Sequence, residues 1–291
     1  MAQTLLVVLL VIASSLALPD LARLRNFSWL HALVARWMAS TSIPVLVLPI
    51  AIFVLCLWIH WALMLAFFGL PAFAFAVIVL FYAWGPRDLD ADVDAVLKAP
   101  DSDRRYTAAQ ALRPDPATAA LAVESAPLVE AVFLSALSRW FGVLFWFVLL
   151  GPAGALTYRI VHWLARHPTF AADIDTAPRA TLEHSASILD WAPAHLIALT
   201  LALVSQFDSV ISTWRAYHTA HGRGYFTLDL GFLGALARAG VDADIVAGDG
   251  YAPDVSQPMA ELAGARRVLR RILVVWLVVI ALLALSGFTH G

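Results

Sequence analysis

Polar and ionisable side chains gather at the edges of two apolar segments, 140–158 and 191–207. Placing polar and ionisable groups within the apolar part of a bilayer costs free energy, and residues of this kind often have a function. Carboxylate, guanidinium, imidazole and hydroxyl groups together suit the binding of a polar ligand by hydrogen bonds and charge. The sequence therefore predicts a candidate ligand pocket and assigns no catalytic residue within it. The pocket residues found in this way are Glu130, Ser138, Tyr158, Arg159, His162, Asp190 and His195.

Each of these residues also has a purely structural interpretation. Arg139 and Arg159 stand where long cationic side chains extend toward a membrane interface. Asp190 is suited to cap a helix that begins at Pro193. His195, one turn further on, is suited to a hydrogen bond between helices. Both interpretations remain open at this point.

Motifs of common enzymes are missing from the sequence. There is no Gly-x4-Gly-Lys-Ser/Thr phosphate loop, no His-Glu-x-x-His and no Gly-x-Ser-x-Gly, and Cys56 is the single cysteine. Their absence disfavours common ATPases, zinc proteases and serine hydrolases. Asp88 and Asp90 could bind Mg²⁺ or pair with a basic loop, and a solvated face is favoured. No metal site and no cofactor are predicted.

Composition places the chain in a membrane. Of its 291 residues, 61% are hydrophobic and 14% charged, and the mean hydropathy is +0.79. Soluble domains are near 45–50% apolar and about 25% charged. We therefore predict an all-α, polytopic membrane protein with four to six transmembrane segments in a single membrane domain, 1–291. The candidate segments are 4–18, 44–66, 71–84, 140–158 (broken at Gly151–Gly154), 191–207 and 272–290.

The ends of these segments carry further predictions. The run 4–18 has the length of a signal-peptide core, but its nearest basic residues follow it, so a retained first helix is favoured. Gly69-Leu70-Pro71 predicts the turn of a helical hairpin. A net charge of −2 disfavours a nucleic-acid partner.

Basic residues predict the sidedness of the polar segments. Sixteen of the nineteen lie in 19–43, 85–139 and 208–271, which a six-span topology places together on the cytoplasmic side. The polar loop 159–190 then lies opposite. The Gly151–Gly154 break also fits a kinked helix or a re-entrant pair of half-helices. If the fourth and fifth segments both fail to cross, four spans remain and 159–190 is cytoplasmic too. The broken segment also fits a transporter-like or scaffold protein, which is disfavoured because no second break matches it.

Three stretches of the chain resemble one superfamily of membrane proteins. Leu144-Phe145-Trp146 and Gly151 to Arg159 are similar to the "LFW…G-x-P-G-A-L-x-Y-R" block of the CobD/CbiB proteins of cobalamin biosynthesis and of the related AmpE-like proteins. The stretch from Ile188 to Leu196 is similar to the "L-D-W-x-P-x-R-L" segment of the AmpE-like proteins and to the "N-x-L-P-A-R-L" segment of the CobD/CbiB proteins. A weaker likeness covers Trp29 to Trp37. The resemblance adds Trp146 to the candidate ligand pocket.

The resemblance implies one of two functions. The synthases of this superfamily join an aminopropanol phosphate or ethanolamine-type unit to adenosylcobyric acid with ATP and Mg²⁺. Of their acidic pattern before the LFW block only Glu130 is present here, and their later "N-T-L-D" is replaced by residues 162–165. Because metal–nucleotide chemistry needs several carboxylates, an enzymatic role is disfavoured.

We therefore expect a regulatory protein that resembles the AmpE-like modulators of β-lactamase induction, linked to muropeptide sensing and antibiotic resistance. The expected location is the bacterial inner membrane, with several spans. The expected partners are the lipid bilayer and a muropeptide-recycling or signalling protein. The alternative is an adenosylcobinamide-phosphate synthase-like ligase.

Overall fold

The protein is all-α in a computed structural model, as the sequence predicts. The structure describes residues 2–17, 25, 46–85, 87–115, 119–166, 176–220, 227–249 and 257–286. Helices connected by turns make up these residues, and no strand occurs among them. The weak third block of the family resemblance, Trp29 to Trp37, lies outside the described residues.

Eleven α-helices are described, together with two 3₁₀ turns, Phe67–Gly69 and Gln110–Leu112, and a π-helical segment, Leu137–Phe141. The α-helices are α1 Ala2–Ala17, α2 Val47–Met64, α3 Leu70–Ala83, α4 Leu89–Leu97, α5 Ser102–Ala109, α6 Ser125–Ala136, α7 Gly142–Arg166, α8 Thr176–Val204, α9 Phe207–Ala220, α10 Gly231–Asp249 and α11 Pro258–Leu285.

The chain divides into two compact units, each built from several stretches of sequence. The first unit comprises Met1–Asp88, Gly142–Ala186 and Val279–Gly291. The second comprises Leu89–Phe141 and Ser187–Val278. The first unit therefore contains α1, α2, α3 and α7, and the second contains α4, α5, α6, α9 and α10.

Four helical stretches among the described residues are long and apolar enough to cross a bilayer, so the chain is a membrane protein. They are Val47–Met64, Ser125–Arg166, Arg179–Val204 and Pro258–Leu285, with shorter apolar helices at Gln3–Ser15 and Leu70–Ala83. A bilayer core of about 30 Å needs roughly 20 residues of helix. Large apolar side chains are exposed along α2, among them Ile50, Val54, Trp58 and Trp61. In a bilayer these side chains face acyl chains rather than water.

The turn between α2 and α3 lies where the sequence places it. Phe68 and Gly69 both have a positive φ, 55° and 78°, which reverses the chain within the 3₁₀ turn. α3 then begins at Leu70, with Pro71 in its first turn. Proline is favoured there because the first helical N–H groups have no partner within the helix.

The predicted start of a helix at Pro193 is wrong. α8 begins at Thr176 and contains both Asp190 and Pro193 in its interior, so Asp190 is not its N-cap. An internal proline costs about 3 kcal/mol because it removes one helical hydrogen bond. Burial of the side chains that follow it, among them Ala194, Ile197 and Leu201, offsets that cost.

Candidate functional site

A single glycine interrupts α7 in the first unit. Gly151 has φ 67° and ψ −156°, outside the helical region and within one that side chains other than glycine rarely adopt. Pro152 follows and starts a new helical arm. α7 therefore consists of two arms, Gly142–Leu150 and Pro152–Arg166, and its interruption lies in the interval where the sequence predicts a break.

The two arms fold back against each other. A Cβ atom on Gly154 would lie 2.4 Å from the backbone oxygen of Trp146, whereas a continuous helix would separate these residues by about 12 Å. A Cβ atom on Gly142 would lie 2.1 Å from Oη of Tyr158. Each contact joins a residue before Gly151 to one that follows it by a similar number of residues. α7 is therefore a helical hairpin whose arms meet where glycine leaves room.

Three predicted pocket residues lie on the second arm of this hairpin. Tyr158, Arg159 and His162 are all buried, and the rings of Tyr158 and His162 are 4.3 Å apart between centroids. Nε of Arg159 donates a hydrogen bond to the backbone oxygen of Ala83 at 2.7 Å. Ala83 is the last residue of α3, so the guanidinium satisfies a carbonyl that the end of a helix leaves without a partner.

A second arginine holds the same end of α3. Nη1 of Arg25 donates to the backbone oxygen of Gly85 at 3.4 Å, and its guanidinium lies 4.4 Å from the ring centroid of Phe81. Burial lowers the pKa of Arg25, and the charge of Asp88 opposes that change. A cation is favourable at the end of α3 because the last carbonyl groups of a helix carry a partial negative charge.

In the second unit, Glu130 and Ser138 have partners that the sequence did not predict. Oε1 of Glu130 lies 3.0 Å from Nε of Arg238 on α10, and both side chains are partly exposed. A Cβ atom on Gly234 would lie 2.9 Å from Cγ of Glu130, so glycine lets α10 approach α6 closely. Ser138 donates to the backbone oxygen of Ser135 within its own helix.

His195 belongs to an aromatic cluster built from α8, α9 and α10. Its Nδ1 is 2.7 Å from the backbone oxygen of Trp191, and its ring centroid is 4.8 Å from that of Phe232 and 6.0 Å from that of Trp214. Nε1 of Trp214 donates to Nε2 of His218 at 2.9 Å. These contacts support the structural interpretation of His195. The hydrogen bond from Nδ1 is to the preceding turn of its own helix, and the hydrogen bond between helices that the sequence predicted stays a prediction.

Asp190 is fully buried on α8 in the second unit. The sequence marked it from its position beside an apolar run.

The residues that complete the aromatic cluster, Trp214, His218 and Phe232, were missed. The periodicity of apolar and aromatic residues over 208–220 was a signal for Trp214, whereas Phe232 lies outside that interval.

Ion pairs organise the polar part of the second unit. α4 carries three aspartates at alternate positions, and each pairs with an arginine elsewhere in the chain. Asp92 lies 2.7 Å from Arg139, and both side chains are buried. The other pairs are Asp90 with Arg270 at 3.0 Å, Asp94 with Arg266, and, on α10, Asp244 with Arg271 at 2.7 Å.

Asp90 and Asp94 face the same side of α4, one turn apart, and so do Arg266 and Arg270 on α11. Because both helices use the same one-turn spacing, two ion pairs form side by side between α4 and α11. Of the alternatives for Asp90, pairing with a basic segment is the one that the structure contains. Hydrogen bonds from Lys98 and then Arg266 lower the pKa of Asp94.

The eight predicted pocket residues divide equally between the two units. Trp146, Tyr158, Arg159 and His162 lie on α7 in the first unit, and Glu130, Ser138, Asp190 and His195 lie in the second. A ligand pocket that includes both sets remains a prediction. Within the described ranges, no three His, Cys, Asp or Glu side chains are grouped so that they could hold a metal ion.

The fold and its apolar helices define an all-α membrane protein with a hairpin in α7 and a second unit held by ion pairs. No protein-family model, no curated protein and no solved structure matches the chain.

Proposed function

We propose that this chain is a regulatory protein of the bacterial inner membrane that resembles the AmpE-like modulators of β-lactamase induction. In this role it couples the state of cell-wall muropeptide recycling to the induction response through a partner protein. The observation that carries the proposal is the pairing of carboxylates with arginines in the second unit.

Carboxylates that hold Mg²⁺ must direct their oxygen atoms toward the ion. Glu130 is the one carboxylate in common with the acidic pattern of the synthases, and its Oε1 faces Nε of Arg238 at 3.0 Å. Asp92, the most buried of the paired aspartates, faces Arg139 at 2.7 Å. Side chains that neutralise one another in this way support a structural or regulatory unit better than a metal–nucleotide site.

The block of family resemblance supports the same proposal. Its residues Gly151, Gly154 and Arg159 supply the reversed turn, the close approach of the arms and the bond to the end of α3. These are contributions to a scaffold. A scaffold can persist in relatives whose chemistry differs, because function depends on the site rather than the fold.

Deletion of the gene from its native bacterium tests the proposal. We expect altered β-lactamase activity after exposure to an inducing β-lactam, with cobamide production unchanged. Plasmid-borne wild-type protein should restore the response. Loss of cobamide production on deletion, with unaltered induction, would contradict the proposal.

A complementation assay tests the ligase alternative directly. The wild-type chain and a Glu130→Gln variant are expressed in a strain that lacks cobinamide-phosphate synthase, and cobalamin-dependent growth is measured. We expect no rescue by either. Rescue by the wild type alone would identify a ligase that depends on Glu130 and would replace the regulatory proposal.

A further inference from the structure

We infer that α7 is a re-entrant hairpin, which enters one leaflet of the bilayer and returns to the side from which it came. Its partner is the acyl-chain region of that leaflet. The inference rests on contacts within the first unit and is independent of the regulatory role.

The depth of the hairpin follows from the bond between Arg159 and Ala83. Ala83 ends α3, and the polar sequence beginning at Arg87 follows it closely, so this bond marks the edge of the apolar region. Eight residues separate Gly151 from Arg159, which at about 1.5 Å per residue amounts to about 12 Å. The hydrocarbon core is about 30 Å thick, so the turn at Gly151 lies well short of the opposite surface.

The entering arm begins at the level where the returning arm reaches Tyr158 and Arg159. Gly142 is the first residue of α7 and contacts Oη of Tyr158, the neighbour of Arg159. No charged residue occurs between Trp140 and Tyr158, whereas Arg139 and Arg159 flank this interval. Because Gly142 lies beside Tyr158, the two arms enter and leave the apolar interval at the same level.

The tip of the hairpin suits contact with lipid. Leu149 and Leu150 immediately precede the turn and are 60% and 43% exposed. In water two such leucines would be unfavourable, whereas acyl chains cover them without cost. Non-helical backbone is tolerated at membrane depth where protein covers it, and Gly151 is itself partly buried.

Labelling of single cysteines tests this topology. The native Cys56 is first replaced by alanine, and cysteines are then introduced singly at Ala122, Ala180 and Leu149. The first two positions are exposed and lie before and after α7. Sealed right-side-out and inverted vesicles are treated with a membrane-impermeant maleimide.

The two flanking positions report the sidedness of α7 because the segments between them and the hairpin carry charged residues, which are costly within a bilayer. After the hairpin, the charged residues Arg166, Asp173, Asp175 and Arg179 precede Ala180 and oppose a crossing. On the other side, α6 carries Glu130, whose ion pair with Arg238 is partly exposed.

We expect Ala122→Cys and Ala180→Cys to be labelled in the same vesicle orientation. Leu149→Cys should label at least about tenfold less in either orientation than after detergent is added, because no water reaches the acyl-chain region. Labelling of the two flanking positions in opposite orientations would overturn the inference, as would strong labelling of Leu149→Cys from the opposite side. A second flanking pair, Ala120→Cys and His184→Cys, replaces any variant that fails to fold.

Discussion

The buried arginines of the two units bind different kinds of partner. In the first unit, Arg25 and Arg159 donate to backbone carbonyl oxygens at the end of α3. In the second unit, arginines mostly face carboxylates, and Arg139 binds both Asp92 and the backbone oxygen of Ala111. A guanidinium on a helix end requires no buried anion, which suits a unit dominated by apolar helices. Carboxylate partners suit the unit that contains the polar helices α4, α5 and α9.

The two units also differ in how their segments are held together. Close approach in the first unit depends on Gly154 beside backbone, whereas in the second unit Gly234 faces the side chain of Glu130 and ion pairs join distant segments. The first unit should therefore be sensitive to added volume, and the second to the loss of one member of a buried ion pair. The following predictions test this contrast, from the largest expected effect to the smallest.

The largest effect is expected for Asp92→Ala. Removing one partner of a buried ion pair typically costs about 3–5 kcal/mol because the remaining charge stays buried without its counter-ion. Denaturant unfolding in detergent micelles measures the free energy of unfolding. The double variant Asp92→Ala/Arg139→Met should regain much of the loss. A loss equal to that of Asp244→Ala, which breaks a more exposed pair, would show that burial of the Asp92 pair is unimportant.

In the first unit, Arg159→Met should remove a charge-assisted hydrogen bond to the end of α3. Bonds of this kind contribute about 1.5–3 kcal/mol. Thermal unfolding in micelles should show the loss, whereas Arg179→Met, which breaks an exposed pair one helical turn apart, should change stability by less than about 0.5 kcal/mol. Equal effects of the two variants would contradict the role assigned to Arg159.

Gly154→Ala should destabilise the hairpin by about 1–3 kcal/mol, since overpacking forces backbone to move. The nearest atom to the new methyl group would be a backbone oxygen, which cannot rotate away. The matched control is Gly264→Ala in α11, where the nearest atom is a valine methyl at 3.3 Å. That control should be neutral or stabilising by up to about 1 kcal/mol, as alanine favours helix. Destabilisation by the control alone would refute the packing of α7.

The smallest effect is a dependence on pH through Asp94. Lys98 and Arg266 lower its pKa on folding, so its contribution to stability is complete above the ordinary carboxyl value and is lost as the pH falls through the folded pKa. Asp94→Asn should therefore cost less than about 1 kcal/mol at pH 7, since the side chain is partly exposed. The difference between variant and wild type should begin to shrink below about pH 4, where the unfolded carboxyl becomes protonated, and should disappear once the pH is below the folded pKa of Asp94. A difference that grew on acidification would contradict this sign.

Much of the fold could be predicted because its signals are local. The uncharged run between Trp37 and Pro86 indicated two helices, and Gly69 indicated their turn. The interval beginning at Gly151 indicated an interruption, since glycine and proline alter the backbone at their own positions. The start of α8 was missed because Pro193 resembles a helix start, and burial further along outweighed it.

The candidate site was less predictable. Arg159 stood out as a charge beside an apolar run, but nothing near it in sequence indicated a bond to Ala83, 76 residues earlier. Glu130 was singled out as a carboxylate, whereas its partner Arg238 lies in a helix that showed no sign of contacting it. Asp90 was placed on a solvated face because its partner Arg270 is 180 residues away.

The sequence by itself determined that the chain is helical, that it belongs in a bilayer and that the backbone is interrupted near Gly151. These properties depend on composition and on conformational limits that act within a few residues. Only the tertiary structure decided that the arms of α7 fold together, that Arg159 holds the end of α3 and which arginine neutralises each aspartate. Such contacts require distant segments to meet, and the free energy that brings them together comes from the packing of the whole unit rather than from any local pattern.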